Sequence, residues 1–108
     1  LKIDIEALSF EAIIGILEEE RLSPQKVEID ISLLYRYADG KFIDYAEVCR
    51  LTKEHIVQES YGLLEDALIG IERLLKTKFP NIDRLRISIR KPDILSECTV
   101  SLSQEWIY

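Results

Sequence analysis

The chain has 108 residues, 47% of them apolar and 31% charged, the length and balance of one folded domain over residues 1–108 and not of a disordered segment. Twenty acidic residues against fourteen Lys and Arg leave a net charge of −6, which opposes binding by phosphate neutralisation, so no nucleic-acid partner is expected. The longest apolar run, residues 12–17, is far short of the roughly 20 residues that span a bilayer. No basic segment followed by an apolar one opens the chain at Leu1, so a cytoplasmic protein with no membrane partner is expected.

Ile3 and Ile5 alternate with Lys2, Asp4 and Glu6, and apolar character runs on through Ala12-Ile13-Ile14 toward Gly15, which predicts a long, bulged first strand. Glu18-Glu19-Glu20-Arg21 follows. Such a charge run reads as a solvent-exposed turn, with one of its acids available to face a site. Beyond Ser23-Pro24, Val27, Ile29, Ile31 and Leu33 alternate with Lys26, Glu28, Asp30 and Ser32 as a second strand.

Over residues 45–60 the period becomes that of a helix, with Tyr45, Val48, Thr52, His55 and Ile56 on one side. Gly62 breaks the pattern. Leu64, Ala67, Leu68, Ile71, Leu74 and Leu75 then form a cleaner stripe over residues 63–79, stopped by Pro80. Leu85, Ile87 and Ile89 alternate with Arg84, Arg86, Ser88 and Arg90 in a third strand, Pro92-Asp93 opens the last connection, and Val100 and Leu102 mark a fourth strand.

The order β-β-α-α-β-β predicts an α+β domain, a four-stranded antiparallel sheet covered on one face by two helices. The opposite face carries Asp4, Glu6, Glu28 and Asp30 against Lys2, Lys26, Arg84, Arg86 and Arg90. Either it is an ordinary solvated face with cross-strand ion pairs, or protomers join edge to edge and it lines a water-filled barrel.

Several residues break these patterns. Strand parity puts Lys91 on the apolar side, where a lysine either snorkels outward or has its ammonium held at the mouth of a cleft. Glu65 lies in the first turn of the second helix, either complementing the helix dipole or accepting two hydrogen bonds from a planar ligand edge. Tyr45 opens the first helix as core or as a hydroxyl proton donor. His55 is the single histidine, read as packing or surface, and one chain cannot build a three-histidine metal centre from it, so no metal or cofactor is expected. Cys49 and Cys98 read as reduced structural thiols.

The segments IIGILEEERLSPQKVEIDISL, FIDYAEV, GLLEDAL and ISIRKPD occur in the order and spacing of dihydroneopterin aldolases, and the chain resembles that family along nearly its whole length. Co-occurrence of G-x-x-x-x-E-R-x-x-x-Q, D-Y, L-L-E and K-P is far more specific than any one of them. The resemblance implies the tunnelling fold and a homotetramer or homo-octamer with active sites at subunit interfaces. It implies catalytic roles for Lys91 as general acid/base, for Tyr45 from an adjacent protomer, and for Glu20 beside the lysine. It also implies that Glu65 anchors a small-molecule pterin with help from the Leu64 backbone, with Ile43 against the ring and Gln25 matching the family's glutamine.

The implied reaction is retro-aldol cleavage of 7,8-dihydroneopterin in folate biosynthesis, with epimerisation at C2′ as a second activity. A dihydroneopterin triphosphate epimerase is the alternative enzyme, although a triphosphate would want a basic rim and the residues near Glu20 and Lys91 are largely acidic or apolar. A non-catalytic pterin-binding ring protein is the alternative of a different class.

Overall fold

Ile3 and Ile5 face the core from odd positions of β1 (Lys2–Ala12), whereas Leu8, Phe10 and Ala12 face it from even positions. The switch is a bulge. Ile5 pairs with Ile31 and Leu8 with Ile29, so Glu6 and Ala7 together oppose Asp30, and Ala7 takes a left-handed φ of 54°. Its N–H donates to Asp30 Oδ1 at 2.7 Å. The sequence pattern that anticipated a long, bulged strand is explained by this single extra residue.

The structure, a computed structural model, describes residues 1–108. After β1 come α1 (Glu18–Leu22), β2 (Gln25–Tyr35), α2 (Tyr45–Glu59), α3 (Leu64–Lys78), β3 (Ile82–Lys91) and β4 (Val100–Ile107). The four strands form one antiparallel sheet in the order β1-β2-β3-β4. Alternation sends Val27, Ile29, Ile31 and Leu33 of β2 and Leu85, Ile87 and Ile89 of β3 to one face, where none is more than 1% exposed. That face packs against Val48 and Ile56 of α2 and Ala67, Leu68, Ile71 and Leu75 of α3 in a core of 19 buried residues. No helix is long and apolar enough to cross a membrane.

The opposite face is charged, as its alternation requires. Arg90 of β3 bonds both Glu28 and Asp30 of β2, Arg84 pairs with Glu105 at 3.3 Å, and Lys26 pairs with Glu28 at 3.3 Å. The Arg84 and Lys26 pairs are largely open to solvent, which screens them, whereas the Arg90 pairs are half-buried and tie β2 to β3 on this face.

Two segments differ from expectation. Glu18-Glu19-Glu20-Arg21 is not a turn but the start of the short helix α1, in which Glu18, Glu19 and Arg21 are exposed and Glu20 is turned inward, only 5% exposed. Strand β4 also runs to Ile107, beyond the alternation of Val100 and Leu102, because Gln104 occupies a core-side register position opposite Ile87 and hides the period.

The helices set the direction of the molecule. Asp44 caps α2, its Oδ1 accepting from Ala46 N at 2.9 Å. At the other end Ser60 adopts a left-handed conformation, φ 48°, and turns the chain into α3 within four residues. Gly15 N donates to Tyr61 O at 3.0 Å, so the α2–α3 connection is fastened to the end of the sheet where β1 stops and β2 begins.

Candidate active site

Lys91 is the last residue of β3 and continues the inward parity of Leu85, Ile87 and Ile89, which leaves it 8% exposed. It does not snorkel. Its Nζ donates to Glu20 Oε2 at 2.7 Å. The third residue of α1, Glu20, reaches back to accept from Leu17 N at 3.2 Å through Oε1, the usual way an acid at that position satisfies a free helix-start N–H. Gln25 Nε2 donates both to Glu20 Oε2 at 2.7 Å and to Ile14 O at 2.8 Å. Burial pushes the Glu20 carboxyl up, but the hydrogen bonds from Lys91, Gln25 and Leu17 outweigh it and hold the group below its ordinary value of 4.5.

The spacing G-x-x-x-x-E-R-x-x-x-Q now has a physical reading. Gly15 has φ +123°, and a Cβ there would overlap the Glu20 carboxylate, so only glycine leaves room for the carboxylate to turn inward. Arg21 spreads its guanidinium over three carbonyls, Nη1 to Gly15 O and Tyr61 O at 3.1 Å each and Nη2 to Ser60 O at 2.9 Å. The role of Arg21 escaped the sequence reading because two of its three acceptors lie in the α2–α3 connection, and that of Gly15 because no local pattern shows the Glu20 carboxylate folding back over it.

Because the folded-state value of Glu20 is depressed, its pairing contributes fully above about pH 4.5 and is lost as pH falls through the folded value. Wild type should therefore exceed Glu20→Gln in stability by about 1.5–3 kcal/mol at neutral pH, the worth of a hydrogen bond to a charged group. The gap should narrow steadily below about pH 4.5, as read by denaturant titrations of both proteins across pH.

Leu64 and Glu65 open α3 at this same end of the sheet, because Gly15 and Arg21 hold Ser60 and Tyr61 against it. Leu64 is half-buried, and Glu65 is exposed and makes no hydrogen bond within the protomer. The α3 N-cap residue, Leu63, offers no side-chain acceptor, so the first-turn N–H groups and Glu65 face outward together. Ile16 and Leu63 are exposed, and a Cβ on Gly62 would touch Ile16, which gives this end an apolar rim.

Tyr45 and Ile43 are not brought to this cluster. Tyr45 is the first residue of α2, 67% exposed. Fifteen helical residues, about 22 Å at 1.5 Å each, separate the two ends of α2. Ile43, at 4% exposure, belongs to the core of its own protomer. His55 is half-buried on α2, its Nε2 sharing a hydrogen bond with Tyr61 Oη at 2.7 Å, in keeping with a packing role. Cys49 is half-buried and Cys98 exposed, both free thiols.

With the five-residue α1 set aside, the two-layer β-β-α-α-β-β arrangement is that of a tunnelling-fold domain. The family profile for dihydroneopterin aldolase matches residues 3–105. A Chlamydia trachomatis protein named "Probable dihydroneopterin aldolase" is 28% identical over 118 residues, covering 96% of this chain and 95% of its own. The crystal structure of the FolB protein of Vibrio cholerae superposes with TM-score 0.89 at 26% identity over 100% of this chain and 98% of that one. E. coli dihydroneopterin aldolase in complex with neopterin shares the fold with TM-score 0.88 at 23% identity over 98% of each chain. The chain belongs to the dihydroneopterin aldolase family, whose members are lyases.

Proposed function

We propose that this chain cleaves the C1′–C2′ bond of 7,8-dihydroneopterin, giving 6-hydroxymethyl-7,8-dihydropterin and glycolaldehyde, in the cytoplasm as a step of folate biosynthesis. The observation that carries the reading is the Lys91–Glu20 pair, buried at the same end of the sheet as the outward-facing Glu65. One group is suited to move protons. The other is suited to grip a flat, donor-rich ring.

Breaking that bond leaves an electron pair on C1′, and the N5=C6 imine of the dihydropterin can receive it. As the 2′-hydroxyl loses its proton, its oxygen forms the aldehyde carbonyl, the C1′–C2′ pair becomes C1′=C6, and N5 takes up a proton. The resulting enamine is protonated at C1′ and returns the proton from N5. Lys91 is the group assigned to these transfers, general acid/base work of the kind that contributes roughly 10²–10⁴-fold. Glu20 keeps the amine in place. Glu65 accepts from the 2-amino group and N3–H, with the Leu64 backbone beside it.

Tyr45 enters this scheme from an adjacent copy, as its exposure at the far end of α2 allows. Ile43 then shapes the site by seating the start of α2 in the core of that copy. The assembly is a homotetramer or homo-octamer in which joined sheets turn their charged faces into a common channel. Recombination of glycolaldehyde from its other face supplies C2′ epimerisation as a second activity.

Release of glycolaldehyde from 7,8-dihydroneopterin by the purified protein is the direct test, and its absence removes the aldolase reading. Glu65→Ala should weaken binding of neopterin and raise KM by about 10–100-fold, the loss of one charged hydrogen-bonding group, with a smaller effect on kcat.

A further inference from the structure

We propose that Arg21 is a positioning residue that sets the gap between the Lys91–Glu20 pair and Glu65, an inference that rests on the aldolase reading. The two halves of the site reside on separate parts of the chain. Glu20 and Lys91 belong to α1 and β3, whereas Glu65 is the second residue of α3, four residues after Tyr61. Arg21 is the side chain that ties these parts together. Its Nη1 donates to Gly15 O on one side and Tyr61 O on the other, and its Nη2 donates to Ser60 O.

Three features favour a donor at this place, and the first of them favours arginine in particular. The acceptors are spread over two segments, Gly15 and residues 60–61, which a planar fork with fixed donor directions spans and a single ammonium does not. Ser60 is left-handed, φ 48° and ψ 53°, so its carbonyl has turned away from the helix and depends on an outside donor. Helix α2 carries no basic residue in its own last turn, and Arg21 supplies the cation its negative end favours. The arginine is directly next to Glu20 in sequence, so any drift of the α2–α3 connection is felt at the carboxylate that holds Lys91.

Arg21 itself is exposed, and its bonds reach loop carbonyls and not the core, so its removal leaves the fold standing. What it loses is spacing. A pterin held by Glu65 would present its side chain displaced from Lys91, and a misplacement of about 1 Å costs on the order of 10²-fold in rate.

The test compares wild type, Arg21→Ala, Arg21→Lys and a control, Arg50→Ala, which removes an exposed ion pair with Glu54 on α2. Each is measured for melting temperature, for neopterin affinity, and for kcat and KM with 7,8-dihydroneopterin. Arg21→Ala should lower kcat by about 10–100-fold with neopterin affinity near that of wild type, and Arg50→Ala should change neither. Lysine restores the cation at the end of α2 but not the fork, so Arg21→Lys should recover the melting temperature and leave kcat depressed. Wild-type kcat in both Arg21 variants overturns the assignment while the aldolase reading stands. Recovery of kcat in step with melting temperature in Arg21→Lys also overturns it, since the residue then acts through stability alone. If wild type releases no glycolaldehyde, the aldolase reading falls and this inference falls with it.

Discussion

Lys91→Ala should lower the turnover of 7,8-dihydroneopterin by about 10²–10⁴-fold while leaving neopterin affinity largely intact. Lys91 Nζ is the one ammonium held inside the mouth of the sheet, and Glu20 Oε2 meets it at 2.7 Å. Without it, the proton at N5 and the proton of the 2′-hydroxyl have no assigned carrier. The ring contacts at Glu65 lie on α3 and do not depend on the lysine. The same change leaves Glu20 buried without its cation, which costs about 3–5 kcal/mol when such a pair is broken. Gln25 and Leu17 still donate to the carboxylate, so the lower end of that range is expected. Glycolaldehyde release at saturating substrate, set beside a neopterin binding isotherm and a denaturant titration, separates the three effects. Turnover at the wild-type rate would remove Lys91 from the mechanism.

Gly15→Ala should be nearly as damaging to turnover, with a loss of about 10²-fold, although Gly15 touches no substrate in the proposed scheme. Its φ of +123° disfavours any L-residue, and the added methyl would occupy the space of the Glu20 carboxylate. The carboxylate must then leave, and with it the acceptor that fixes Lys91. Gly40→Ala is the natural comparator, because Gly40 also has a positive φ, 70°, yet a Cβ there meets nothing within 4 Å. Both substitutions strain the backbone, and Gly15→Ala strains it more because φ +123° lies outside the left-handed region that φ 70° borders, so activity lost beyond what each variant's loss of stability accounts for reports the crowding of Glu20. Equal effects of the two changes on turnover would show that Gly15 acts through conformation alone.

Much of this architecture can be read from periodicity because the sheet has one wet face and one dry one. Alternation in β2 and β3 and the stripe of α3, Leu74 apart, correspond to side chains that the core accepts. Parity alone places Lys91 on the core side. Helix α1 was illegible because five residues rich in charge carry no apolar stripe, and the burial of Glu20 is decided by Lys91, 71 residues away, together with Gly15 and Gln25. The far end of β4 was obscured by Gln104 at a core-side position of an edge strand. For Tyr45 no local pattern separates an aromatic waiting for a second copy from one that is merely exposed. The motif pointed to Gly15 and Arg21 but not to their work, since backbone carbonyls of residues 60 and 61 leave no trace in side-chain chemistry.

The extra residue in β1 bears on how the gene can vary. Excision of Ala7 would give an unbroken ladder with Ile3, Ile5, Leu8, Phe10 and Ala12 still on one side, because a single residue, Asp30, separates the partners of Ile5 and Leu8. Loss of one codon, elsewhere in a strand enough to turn the remaining side chains inside out, here keeps every core residue on its face and gives up only the bulge and its bond to Asp30. The outermost strand thus has a slot at which descendants can differ in length without disturbing what lies beneath.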